Sequence, residues 1–179
     1  MSALTDSVLR EAKLLFTRFC GGIRYESALW TALQFTYLSL DEQPWQVGFL
    51  ELWTTLEALF APDRFRDTSF WLCFRIALFL GGSDAEVVAR FRRIYDWYDL
   101  RSLVIHGTTK GHDKGRVFPA YENTEETVRA CLRRILEDDD LLAAFGGTEK
   151  EAYLVKLEAG WEKVGKARDA LPAKRDHHA

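Results

Sequence analysis

The sequence contains few of the residues that break helices, cross-link secreted proteins or span membranes. Its 179 residues include four prolines and three cysteines, Cys20, Cys73 and Cys131, with no C-x-x-C pair. An odd, widely spaced set argues against a disulfide framework, so we expect three reduced cysteines in the core. The longest apolar stretches, such as 70–80, are too short to span a bilayer, and the first residues lack the regions of a signal peptide. These absences predict a soluble, cytoplasmic protein without a membrane partner.

The sequence also lacks a strong net charge of either sign, because its formal net charge is only −3. This value argues against a protein that coats nucleic acid non-specifically, although a local basic cleft remains compatible with it. No glycine-rich loop follows a strand pattern, which excludes the common nucleotide-binding folds. No Cys/His spacing suits zinc, and His177-His178 is more typical of a solvated chain end than of a metal site. We therefore expect neither a metal nor a cofactor.

Helix-favouring residues dominate what is present. Apolar residues make up 47% of the chain and charged residues 28%, with six Trp and twelve Phe. Abundant Leu, Ala, Arg and Glu favour helix over strand, and the aromatic content suits a thick core or a dimer interface. Helical periodicity predicts helices at 6–19, 24–39, 45–60, 69–80, 85–106, 123–137 and 148–166. The fold class is therefore all-α, a single helical bundle of five to seven helices over 1–170, with a disordered tail at 171–179.

Between the last long helices, residues 107–120 are predicted to form a basic loop. Glycines interrupt this stretch, and Pro119 is expected to mark its end. Thr124 then appears as the N-cap of the next helix, with acidic residues in the first turn. The acidic run 137–140 is unfavourable at a helix C-terminus and is expected to kink or interrupt that helix.

One acidic residue lies on an apolar helix face. Glu57 shares its stripe with Trp53 and Phe60, and a carboxylate among apolar side chains is costly unless a cation pairs with it. The sequence therefore predicts a buried or half-buried partner for Glu57. Arg75, in the middle of an apolar helix, is one candidate and Arg101 is the other.

A cation and an imidazole lie close together near the end of the helix predicted at 85–106. Arg101 and His106 are five positions apart, so in an unbroken helix they point roughly 140° away from each other. They converge only if the helix end loosens at Gly107 or if a second subunit closes the site. The structural alternative, which spacing alone favours, is that Arg101 pairs with Glu57 or Asp99 while His106 caps the last carbonyls.

Three segments in fixed order resemble one known family. They are Leu52-Trp-Thr-Thr-Leu-Glu57-Ala-Leu, Phe74-Arg75-Ile-Ala-Leu and Tyr98-Asp-Leu-Arg101-Ser102-Leu-Val-Ile-His106-Gly107. They are similar to the Leu-Glu-x-Leu, Arg-Ile-Ala and Tyr-x-x-Arg-Ser-x4-His-Gly elements of the HEPN superfamily, in its Apea-like branch. The resemblance covers a motif core of about 45–110. It implies a HEPN-like helical bundle that pairs into a homodimer.

The resemblance also implies an activity and roles for individual residues. HEPN domains are often metal-independent endoribonucleases that leave a 2′,3′-cyclic phosphate, and they can act as toxins in phage defence or stress responses. On that basis the catalytic residues would be Arg101, Ser102 and His106. The residues supporting them would be Glu57, Arg75 and Tyr98, and those binding flanking RNA phosphates would be Lys110, Lys114 and Arg116.

Partners and alternatives follow from the same comparison. RNA and a second copy of the chain are the expected partners, with an antitoxin or a separate sensor protein as a further possibility. HEPN toxins silenced by tyrosine modification carry a Tyr shortly after the motif His, and here Gly107 and two threonines follow it, so that control is unsupported. The alternatives are a non-catalytic HEPN-like module that binds RNA or protein, and a purely structural helical adaptor.

Overall fold

The protein is all-α. The computed structural model describes residues 6–41, 44–62, 68–107 and 114–161. Within these ranges there are eight helices and no strand. The helices are α1 (Asp6–Gly22), α2 (Ala28–Asp41), α3 (Trp45–Phe60), α4 (Thr68–Phe79), α5 (Asp84–Ile105), α6 (Lys114–Glu137), α7 (Asp139–Gly146) and α8 (Lys150–Ala159). In the part of the chain described, no helix combines the length and apolar character needed to cross a membrane. The predicted tail at 171–179 lies outside the described residues.

The described part of the chain has one helix more than the predicted maximum of seven, and the additional helix is α7. The acidic run at 137–140 does interrupt the preceding helix, as expected, but it also starts a new one. Asp138 is the N-cap of α7, and its Oδ1 accepts hydrogen bonds from the backbone N–H groups of Asp140 at 2.9 Å and Leu141 at 3.0 Å. Carboxylates suit the positive end of a helix dipole, so the same residues that end α6 stabilise α7.

Helices α3 and α4 form the centre of the core. Helix α3 contacts α2, α4, α5 and α6, and α4 contacts α3, α5 and α8. Aromatic side chains fill the space between them. Fully buried members are Phe49, Trp53, Phe60, Phe70, Phe74, Phe79, Phe91 and Phe145. Burying one such side chain is worth about 1.5–3 kcal/mol, so this aromatic cluster is a principal source of stability.

One of the three cysteines expected in the core is exposed. Cys73 and Cys131 are buried as expected, but Cys20 is exposed. It lies near the end of α1, a helix that packs against α6 and α7 and presents Cys20 to solvent. Ile105 is 46% exposed because it is the last residue of α5, where the helix extends past the core.

The predicted basic loop 107–120 is shorter than expected, because α6 begins at Lys114 and contains Pro119. Val117 and Ala120 are buried at helical spacing, and this burial extends the helix toward its N-terminus. Pro119 is the sixth residue of α6 and leaves the carbonyl of Gly115 without its intrahelical donor, a loss that the burial of the neighbouring apolar residues outweighs. Thr124 is consequently not an N-cap, and its buried hydroxyl donates to the carbonyl of Ala120 at 2.7 Å.

Buried charge attaches α8 to the core. Arg75 is fully buried in α4, and its guanidinium donates to both carboxylate oxygens of Glu151, at 3.0 and 2.7 Å, and to Glu158. It also donates to the carbonyl of Phe60 at 3.3 Å, and Lys150 donates to the carbonyl of Ala58 at 3.3 Å. The two cations thereby satisfy carbonyls in the last turn of α3, where positive charge is favourable.

The start of α5 is set by a capping box. The side chain of Ser83 accepts the backbone N–H of Glu86, and the carboxylate of Glu86 accepts the backbone N–H of Ser83. The preceding Gly81 and Gly82 have φ of +72° and +105°, values that suit glycine and allow the tight turn out of α4. Helix α5 then runs without interruption to Ile105.

Candidate functional site

Arg101 is held against α3 by an ion pair. Its Nη2 lies 3.0 Å from Oε1 of Glu57, with the two side chains 21% and 29% exposed. Helices α3 and α5 pack together, which brings these positions into register. The cation that the sequence required for Glu57 is therefore Arg101. Arg75, the other candidate, pairs instead with Glu151 and Glu158 of α8.

Aromatic rings hold the same arginine from a second side. The guanidinium carbon of Arg101 lies 5.4 Å from the centre of the Tyr98 ring, within the range of a cation–π interaction. Tyr98 in turn meets the fully buried Trp53 edge-on, with ring centres 5.2 Å apart. Because Trp53 cannot move without disturbing the core, the orientation of Arg101 is fixed through Tyr98 as well as through Glu57.

The guanidinium is incompletely satisfied. Its Nε is buried and has no hydrogen-bond partner among the residues that the structure describes. An arginine carries five N–H donors in a planar fork, and the ion pair with Glu57 occupies one nitrogen. The guanidinium is thus held in place with its side chain 21% exposed, and the ion pair with Glu57 leaves part of its donor capacity unused.

The surroundings shift two pKa values at this site. Burial raises the pKa of Glu57, and the adjacent Arg101 charge partly lowers it again. Burial likewise raises the pKa of Tyr98, with Arg101 again acting in the opposite direction. Both shifts report a partly water-excluded environment, in which a hydrogen bond from Arg101 to an anion is stronger than at an open surface.

His106 lies just beyond the last helical residue of α5 and is exposed. Its backbone N–H donates to the carbonyl of Ser102 at 3.1 Å, and the N–H of Gly107 donates to that of Val104 at 3.1 Å. Gly107 has φ of +62°, the left-handed conformation expected of a glycine after a helix. The half-buried Ser102 lies between Arg101 and this helix end.

The helix end does not loosen enough to bring Arg101 and His106 together. Since α5 is continuous to Ile105, the two residues leave the helix on different faces, roughly 140° apart. Within one subunit the structure joins Arg101 to Glu57 and Tyr98, and it leaves His106 at the exposed helix end. A site using both residues needs a second subunit or a bound ligand that reaches around α5.

The residues expected to bind flanking phosphates are spread over the start of α6 and the preceding stretch. Arg116 is exposed in the first turn of α6. Lys114 is the first residue of α6, but its side chain is not among those described, and Lys110 lies outside the described residues. The structure therefore places one of these three cations, on a helix that packs against α5.

Sequence reasoning missed the role of α8 around Arg75. Glu151 and Glu158 are seven residues apart and so share one helix face, which faces the buried guanidinium. Their spacing on a short, polar helix is the signal that could have paired them with a buried cation. With both carboxylates engaged, Arg75 supports the core and is not part of the group around Arg101.

Comparison with known proteins gives no further assignment, since no family model, curated protein or solved structure matches the chain.

Proposed function

We propose that this chain is a metal-independent endoribonuclease of the HEPN type, working as a homodimer. The observation that supports it best is the placement of Arg101, a partly exposed guanidinium held by Glu57 and Tyr98, five residues before the exposed His106. These are the residues that the resemblance assigns to catalysis. Metal independence, the dimer and a role in phage defence or stress come from the resemblance alone.

In the proposed reaction the 2′-oxygen of a ribose attacks the adjacent phosphorus and the bond from phosphorus to the 5′-oxygen breaks. His106 accepts the proton of the 2′-OH, or donates one to the leaving 5′-oxygen, while the partner subunit's copy performs the other transfer. Arg101 stabilises the additional negative charge on the pentavalent phosphorus, for which a planar fork of donors is well suited. Ser102 would bind the phosphate, and Lys110, Lys114 and Arg116 the flanking phosphates.

The test is cleavage of total cellular RNA in excess EDTA by the wild type and by the variants Arg101→Ala and His106→Ala. Arg93→Ala serves as the matched control, because Arg93 is an exposed arginine of α5. We expect cyclic-phosphate ends from the wild type and from Arg93→Ala, and no cleavage by the other two. Light scattering at micromolar concentration checks the dimer, and a monomer mass would count against a site shared between subunits.

A second candidate function is a HEPN-like module that binds RNA or protein without cutting it. The observation that favours it is the resting geometry itself, in which Arg101 pairs with Glu57 and His106 ends the helix on another face. This candidate predicts a folded protein that binds RNA without cleaving it. Salt-dependent binding in a polarisation assay distinguishes it from a structural adaptor, which would not bind RNA at all.

A further inference from the structure

A concave surface lies at the end of α5 opposite to Arg101. A cavity of about 440 Å³ opens between the end of α4, the start of α5 and α8. Its lining includes Asp84, near the N-terminus of α5, whereas Arg101 is in the last turns of that helix. At about 1.5 Å per residue the two positions are roughly 25 Å apart. The cavity is therefore separate from the candidate site.

The cavity has the size and chemistry of a small-molecule site. Most of its lining is aliphatic or aromatic, namely Leu78, Val87, Tyr153, Leu157 and Trp161. Small-molecule sites typically enclose about 300–1,000 Å³ and combine apolar walls with a few polar groups. Gly81 and Gly82 form another part of the lining, where the absence of side chains leaves space for a ligand.

Contacts on both sides of the cavity hold its walls in place. The indole N–H of Trp161 donates to Oδ1 of Asp84 at 3.1 Å, and the Trp161 ring lies 4.9 Å from that of Phe74. Glu158, next to Leu157 in α8, is fixed by its ion pair with the buried Arg75. The cavity is therefore formed before any ligand binds, which reduces the ordering cost of binding.

The lining carries two charged groups, one of each sign. They are one acid, Asp84, and one base, Lys156. The Asp84 carboxylate accepts the Trp161 indole, whereas no ion pair or hydrogen bond of the exposed Lys156 side chain is found among the described residues. We propose that the cavity binds a small amphipathic anion, whose aromatic or aliphatic body fills the apolar space while its carboxylate or sulfonate reaches Lys156.

The first arm of the test asks whether binding occurs in this cavity. The probes are anilinonaphthalene sulfonate and its uncharged analogue N-phenylnaphthylamine, titrated into the full chain and followed by fluorescence. Leu157→Trp fills the cavity, and Val155→Trp puts the same side chain on an exposed position of the same helix. We expect one saturable site for both probes in the wild type and in Val155→Trp, and loss of that site in Leu157→Trp. Equal affinity in the two tryptophan variants overturns the proposal.

The second arm asks whether Lys156 recognises the charge, using a variant that leaves the cavity unfilled. Lys156→Met should lower the affinity for the sulfonate probe by about three- to fivefold, the effect expected of one exposed charge contact. The affinity for the uncharged probe should not change. Lys13→Met, at an exposed lysine of α1, should alter neither. The proposal fails if Lys156→Met lowers the affinity for both probes equally, or for neither. Circular dichroism verifies that each variant is folded.

Discussion

Replacing the buried arginine of α4 should destabilise the protein more than most single substitutions. Arg75→Met keeps an unbranched side chain in the core and removes the guanidinium. The carboxylates of Glu158, 12% exposed, and Glu151, 31% exposed, then lose their shared cation. The carbonyl of Phe60 also loses its side-chain donor. Two negative charges would remain near the surface of the core with no cation between them.

The magnitude follows from which groups are left unpaired. Removing one partner of a buried ion pair costs about 3–5 kcal/mol, because the other charge stays desolvated. Glu151 is exposed enough to turn toward water, which places the expected loss near the lower limit. We therefore expect Arg75→Met to lower the free energy of unfolding by about 3 kcal/mol. For a domain of this length that corresponds to a fall in Tm of roughly 6–12 °C.

Urea unfolding followed by circular dichroism measures this loss. The triple variant Arg75→Met, Glu151→Gln, Glu158→Leu should regain most of the stability, since it leaves no unpaired charge. Arg93→Met removes an exposed arginine and should change the free energy of unfolding by less than about 0.5 kcal/mol. The reasoning is refuted if Arg75→Met costs less than about 1 kcal/mol, or if the triple variant is no more stable than the single one.

Three further substitutions test other parts of the structure by the same unfolding assay. Burial raises the pKa of Glu57 above its ordinary value of 4.5, so its contribution to stability is complete below 4.5 and is lost as pH rises through the folded-state value. The stability of the wild type relative to Glu57→Gln should therefore fall as the pH rises above 4.5, and a rise would contradict the shift. Gly107→Ala should cost about 1 kcal/mol, because φ is +62° there and no neighbouring atom would clash. Pro119→Ala should stabilise α6 by about 1 kcal/mol, because it restores a backbone N–H that can donate to the carbonyl of Gly115. An unchanged free energy of unfolding would indicate that the proline does not destabilise the helix.

Hydrophobic periodicity predicted most of the fold. The first five helices lie close to their expected positions, because each carries an apolar stripe long enough to identify by itself. The start of α6 was missed because Pro119 and the glycines around it indicate a loop, whereas the burial of Val117 decides in favour of helix. Helix α7 was missed because the acidic run that ends α6 is also its cap.

The site could be predicted in part. An acid on an apolar stripe required a cation, and the sequence limited the choice for Glu57 to Arg75 or Arg101. Local pattern could not choose between them, because it does not show which helices pack against which. The choice depends on α8, whose carboxylates bind Arg75 and leave Arg101 for Glu57. Whether Arg101 and His106 act together likewise depends on contacts beyond α5.

The pairing of Arg101 with Glu57 makes the resting group electrically neutral. In the proposed reaction a phosphodiester brings one negative charge, no more than Glu57 already offers, so the arginine gains little by exchanging partners in the ground state. The pentavalent species carries a second negative charge and therefore competes better with Glu57 for Arg101. Arg101 then stabilises the transition state more than the bound substrate, and this difference accelerates cleavage. The Glu57→Gln variant should then bind an uncleavable RNA, with deoxyribose at the scissile position, more tightly than the wild type does. Unchanged affinity would exclude competition between Glu57 and the substrate phosphate for Arg101.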